Sequence, residues 1–283
     1  MEIRFGGLPL IVAAVLSLVP AVLSPAAAQA QYPTLAEFRE GYWGSPIREG
    51  LPEVPGGFTL CRLQYTVVRN LPSGAGWSTD YPRGEFNLTT RLGELTTTWV
   101  SRWLNGDPGI AVVRPTDPDL FRCPFLFASD PGSGRLDAAD VAALEEYFRK
   151  GGMLWADDFW GEAAWSFWTG EIRKVLPDLP IVDVPLDHPL MSIVYQVDRI
   201  PQIPNIQYWR RSGGGTSEFG AETETPHMRA IFDDDGRLLV LMTHNTDIAD
   251  GWEREMDDNV YFRLFSPDAY AIGINVLIWS MTH

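Results

Sequence analysis

The chain of 283 residues carries 37 acidic and 22 basic side chains, a formal net charge of −15. That balance excludes nucleic acid and anionic lipid as partners, because both are held by basic surface that releases counterions or offsets charge. No repeat or low-complexity linker divides the sequence, so a single large α/β domain is the simplest organisation.

Residues 1–30 read as an export signal. Arg4 precedes an apolar run from Leu8 to Leu23, and Ala28-Gln29-Ala30 supplies a small-residue cleavage pattern before Gln31. Pro9 and Pro20 interrupt the run, which is short for a membrane span. Cleavage implies a periplasmic or secreted protein with no integral span once the signal is removed, while an uncleaved anchor stays open. Residues 31–57 form a Pro- and Gly-rich extension, and residues 58–283 the α/β domain.

Within that domain Phe58 to Tyr65 alternate behind Gly56-Gly57, which predicts a strand. From Phe86 to Leu104, apolar residues at Leu88, Leu92, Leu95, Trp99 and Trp103 predict one amphipathic helix. "GIAVVRP" and "DLFRCPFLFAS" read as strands. Asp137 then caps a helix with Val141, Leu144 and Phe148 on one face, and Gly151 stands where a left-handed C-terminal residue is wanted. The strand "MLWA", a helix from Ala163 to Val175 and the strand "LPIVDVP" follow. This alternation with short links predicts a doubly wound, mostly parallel sheet with helices on both faces. Residues 186–226 read as an irregular insertion over the top of the sheet, the segment freest to move. "MRAIFDDDGRLLVLMTH" predicts a hairpin about an Asp-Gly turn. A last helix is expected from Ser266-Pro267-Asp268 to about Met281.

Cys61 and Cys123 both fall in strand-like runs. Export permits oxidation, but a bridge between neighbouring strands is geometrically uncommon, so a disulfide and two buried thiols are both open readings.

In a doubly wound sheet the residues just beyond the carboxyl ends of the strands converge on one rim. The candidates there are Trp77 and Asp80 after the first strand, Ser129 and Asp130 after "FLFA", and Asp157, Asp158 and Trp160 after "MLWA". His244, Asn245, Asp247, Asp250 and Trp252 follow the last strand. Asp157 and Asp158 suit capping of the next helix, or binding of a sugar hydroxyl or cation, or general-base work. His244 suits a general base, a metal ligand, or a bond to a loop carbonyl. The rim tryptophans could stack on a sugar or pin long loops.

Other features carry less. His188, before Pro189, fixes a turn, and no His or Cys spacing calls for a transition metal. "DDDG" lacks the ligand spacing of a calcium loop and is a hairpin turn. "SGGG" lacks the lysine and context of a phosphate loop, and no cofactor is implied. The sequon at Asn87 lies inside a predicted helix.

"DLFRCPFLF", the Gly-Gly strand ending in Asp157-Asp158, Pro177-Asp178, "DHPL" with Tyr195 downstream, and Gly251-Trp252 together resemble the bacterial domain-of-unknown-function family 4159. The similarity runs from "RLQY" through the C-terminal helix. It implies the flavodoxin-like architecture of class I glutamine amidotransferases and trehalose-utilisation-like proteins, with a C-terminal β-hairpin and helix. In that architecture the strand after a Gly-Gly turn delivers a nucleophilic cysteine; here Asp158 stands there, or Asp157 if the register slips by one. A carboxylate cannot replace a thiolate in attacking an amide, so glutaminase activity is disfavoured. Two functions follow as expectations: a non-catalytic domain binding a small polar ligand or an envelope protein, and a hydrolase-like enzyme on a small polar or carbohydrate substrate using Asp158 and His244.

Overall fold

A computed structural model describes residues 50–52, 56–72 and 74–283. The expected signal and most of the extension lie outside them. The described residues form nine strands in chain order: β1 Leu60–Leu63, β2 Thr66–Val67, β3 Ile110–Val113, β4 Phe125–Ser129, β5 Gly134–Arg135, β6 Met153–Phe159, β7 Ile181–Asp183, β8 His227–Phe232 and β9 Leu238–His244. Among the described residues six α-helices accompany them: α1 Arg83–Leu95, α2 Ala138–Arg149, α3 Gly161–Val175, α4 Ile206–Ser212, α5 Ile248–Glu253 and α6 Asn259–Thr282.

Seven strands form one sheet in the order β3-β1-β4-β6-β9-β8-β7, and β2 pairs with β5 apart from it. The first five run parallel, while β8 is antiparallel to both β9 and β7. Side-chain alternation along each central strand divides the core in two. Phe125 and Phe127 of β4 face one layer with Leu88 and Leu92 of α1 and Ile272 and Leu277 of α6. Leu126 and Ala128 face the other with Leu144 and Phe148 of α2 and Trp168 and Ile172 of α3. Among the described residues no helix is long and apolar enough to cross a membrane.

Several local expectations hold. Asp137 makes a reciprocal capping box on α2. Asp233 to Gly236 form the hairpin turn between β8 and β9. His188 Nδ1 accepts the Leu190 amide and caps a short turn. Asn87 is buried within α1 and donates to the Trp252 carbonyl.

Other expectations need correction. The helix predicted over Phe86 to Leu104 ends at Leu95, because Thr96 turns extended and caps it, and Val100 bridges to Phe58. Three consecutive β-branched threonines oppose helical continuation; Trp99, assigned to the helix, is 70% exposed. "DLFRCPFLFAS" splits at Pro124: residues 118–122 make a 3-10 turn, and β4 begins at Phe125. Cys123 therefore precedes its strand, and it is disulfide-bonded to Cys61 of β1, Cα to Cα 6.0 Å. Since Cys61 pairs in register with Leu126, the bridge ties β1 to the entry of β4 rather than joining level strand positions. The strand "LPIVDVP" lies at the sheet edge, antiparallel to β8. The last helix starts well before Pro267, at Asn259, because Asp258 accepts the Val260 and Tyr261 amides.

Candidate functional site

At the carboxyl ends of the parallel strands the backbone does something unusual. Asp80, Asp130, Asp158 and Asn245 all have positive φ, 64°, 49°, 57° and 60°, and are the described non-glycine residues that do. Aspartate and asparagine tolerate this left-handed conformation best, and clustered occurrences mark sites held in place by their surroundings. All four are residues that the sequence put on the rim.

The bend at Asp158 has a specific origin. β6 pairs with β9 through Ala156–Met242 and again through Phe159–His244, so Asp157 and Asp158 together oppose the single residue Thr243. This is a β-bulge, which re-aims side chains and twists the strand. The two aspartates thus lie inside β6, not beyond it, and neither caps α3. Asn245 Oδ1 accepts the first amide of α3, from Gly161, and Glu222 Oε1 accepts the next, from Glu162, each at 2.9 Å. Asp157 instead accepts from Thr243 Oγ1 and, at 3.0 Å, from the Ala249 amide at the start of α5. Among the described residues Asp158 has only long contacts, from Trp160 Nε1 at 3.3 Å and Ser129 Oγ at 3.5 Å.

Asp80 is placed by Arg62, a charged residue buried in the apolar strand β1. Its Nη1 donates to the Trp77 and Thr79 carbonyls at 3.0 Å, its Nε bonds Glu85, and the guanidinium lies over the Phe127 ring at 4.9 Å. Asp130 Oδ2 accepts the Gly76 amide at 2.9 Å. Tyr65 Oη lies 2.7 Å from both the Ser129 and Asp130 carbonyl oxygens and braces the same turn.

α5 contributes Asp250 and Glu253, and Asp247, which caps the helix by accepting the Asp250 amide at 2.8 Å, precedes them. Asp250 accepts from the Ile206 amide at 2.8 Å and from Arg254 Nε at 3.2 Å, and Glu253 pairs with Arg254 at 2.7 Å. The result is two overlapping groups, Asp80-Asp250-Glu253 and Asp80-Asp158-Asp247, each with ligand oxygens within 4.8 Å of one another. Among the described residues no arginine or lysine forms an ion pair with Asp80, Asp158 or Asp247.

Burial without a counter-charge raises the carboxyl pKa values. Asp158 is held well above the ordinary range by burial and then by the Asp80 and Asp130 charges; Asp247 by burial and then Asp158. Burial lifts Asp80 to about 7, aided by Asp250 and opposed by Arg62. It lifts Asp157 and Glu218 to about 7 and Asp130 to about 6. Such groups bind more protons folded than unfolded, so stability falls as pH rises from about 4 through about 7. His244, lowered to about 4 mainly by burial, acts in the opposite sense, as do His188 and His227, both lowered by burial, but the raised carboxyls outnumber them. Without added ligand the protein should therefore melt at a lower temperature at pH 8 than at pH 5; a higher midpoint at pH 8 would refute this charge arrangement.

The remaining candidates separate from the acid group. The His244 ring packs on Phe159 and Trp165, centroids 5.1 Å apart, with Nε2 3.1 Å from the Gly161 carbonyl and Nδ1 3.4 Å from Arg229. It faces the second core layer, not Asp158. Trp252 is sealed in the core against Trp155 and Phe127 and offers no face to a ligand. Trp77 is half-buried beside Tyr81. Trp160 is buried, touching Asp158. Sequence reasoning missed Arg62, Glu218 and Glu253. The signals were present: a lone arginine in an apolar strand, and acids at 247, 250 and 253, whose i, i+3 spacing shares one helix face.

A family model described as "Domain of unknown function (DUF4159)" matches residues 59–281. No curated protein matches the chain.

Proposed function

We propose, on the premise that the chain belongs to the DUF4159 family, that it is an exported, non-catalytic binding domain that takes a small polar ligand at the carboxyl edge of its sheet. The observation that carries this reading is Asp158. It is buried, left-handed and near the end of the central strand, where an amidotransferase-like fold keeps its nucleophile, and among the described residues no base pairs with it. Taken in chain order the five parallel strands run 2-1-3-4-5, the order of flavodoxin-like sheets, which supports that architecture. His244, the expected partner in acid–base work, is occupied by Gly161 and Arg229, so the geometry favours binding over turnover.

Export to the periplasm or outside rests on the Arg4, Leu8 to Leu23 and Ala28-Gln29-Ala30 pattern. Loop residues from 186–226 reach the same edge: Gln202 Nε2 donates to the Asn245 carbonyl, and Glu218 raises the pKa of Asp158. The excursion therefore walls the site and helps select what enters.

The test is thermal unfolding of the protein from Gln31 onward against a panel of sugars, polyols, amino acids and divalent ions. A native-state ligand raises the midpoint by mass action. One or more compounds should stabilise the wild type and not Asp158→Asn. Silence across the panel, with an envelope protein captured instead through another face, would overturn the small-ligand reading.

A further inference from the structure

We propose that Asp80, Asp158 and Asp247 form a binding site for a hard divalent cation of the calcium and magnesium class. The inference rests on reading the carboxyl edge as a ligand site and names what that site holds. Each residue offers one carboxylate oxygen, and the three lie within 4.8 Å of one another. Oxygens across a calcium ion, each about 2.4 Å from it, stand about 4.8 Å apart.

Clustering alone would not carry this. An independent observation is that Oδ2 of Asp80 is sealed from solvent and, among the described residues, receives no N–H or hydroxyl hydrogen bond, its near neighbour being another carboxyl, that of Glu253. Oδ1 of the fully buried Asp130, whose charge reaches Asp158, is likewise without one. Buried polar atoms are normally satisfied, because leaving one bare forfeits its hydration. The nearby arginines do not fill the need: Arg62 is paired with Glu85, and Arg254 with Asp250 and Glu253.

The same pairing separates the two acid groups. Asp250 and Glu253 have their cation in Arg254, so the group lacking one is Asp80-Asp158-Asp247. Its donors are all carboxylate oxygens, with neither thiolate nor imidazole among them, which selects hard ions over zinc or copper. The bulge at Asp158 and the loop held by Arg62 then have a common result: each brings one carboxylate to the ion, and Asp247 supplies the third from the start of α5.

Calorimetric titration of the chelator-treated protein with Ca²⁺, Mg²⁺ and Zn²⁺ tests the assignment. Wild type should bind one Ca²⁺ or Mg²⁺ per chain, with a matching rise in melting midpoint. Asp80→Asn, which keeps side-chain shape and tolerates the left-handed backbone, should weaken binding by about tenfold or more, whereas Glu145→Gln at an exposed position of α2 should not. The assignment falls if wild type binds neither hard ion at about millimolar concentration, if Zn²⁺ alone binds, or if Asp80→Asn binds as tightly as wild type. If both hard ions are silent while an organic compound still stabilises through Asp158, only the cation is wrong. If nothing binds, the ligand-site reading falls with it.

Discussion

Replacing Arg62 with methionine should lower the free energy of unfolding by about 3–5 kcal/mol, the usual result of stripping one partner from a buried ion pair. The guanidinium is fully buried, and its loss would leave Glu85, also buried, with an uncompensated charge. It would also free the Trp77 and Thr79 carbonyls and so release the loop that carries Asp80. The double variant Arg62→Met/Glu85→Leu should recover much of the loss, because the buried charge disappears along with its partner. Urea denaturation of the single and double variants would measure both. Equal midpoints for wild type and Arg62→Met would contradict the assignment of Arg62 as the buried partner of Glu85 and the anchor of the loop that carries Asp80.

Reduction of the Cys61–Cys123 bridge should cost about 4 kcal/mol, from the entropy of a closed loop of this length in the unfolded chain. The two residues are 62 apart in sequence, and that loop contains α1 and β3. Both sulfurs are buried in the core layer beneath α2, so the paired substitution Cys61→Ala/Cys123→Ala adds a small packing loss to the entropic one. Urea titrations with and without reductant would show the difference, and identical midpoints would overturn it.

The layered fold was legible because its signals are local. The capping box at Asp137, Gly151 after α2 and the Asp-Gly hairpin turn each act within a few residues, and the structure keeps them. The errors came where distant residues decide. Asp157 and Asp158 sit before a helix and look like its cap, but the amides of α3 go to Asn245 and Glu222, 84 and 60 residues away. The extra residue in β6 appears only when β6 is laid against β9. Likewise Pro267 marks a helix start by local rule, and Asp258 with the buried Tyr261 overrides it. For the site itself, the four left-handed residues were all named from the sequence as rim residues. That the carboxylates of Asp80 and Asp158 meet that of Asp247 within 4.8 Å depends on the strand order, which no spacing in the chain displays.

The central claim is that Asp158 is kept for a ligand rather than for the fold, and its most direct test is the stability of ligand-free Asp158→Asn at pH 8. Asparagine suits φ 57° and retains an oxygen for Trp160 Nε1 while removing a buried charge from among Asp80, Asp130 and Asp247. Residues held for function are often sites where substitution stabilises. The account predicts a melting midpoint above that of wild type, with the response to any site ligand lost. A midpoint below wild type would make Asp158 a structural residue and contradict the account.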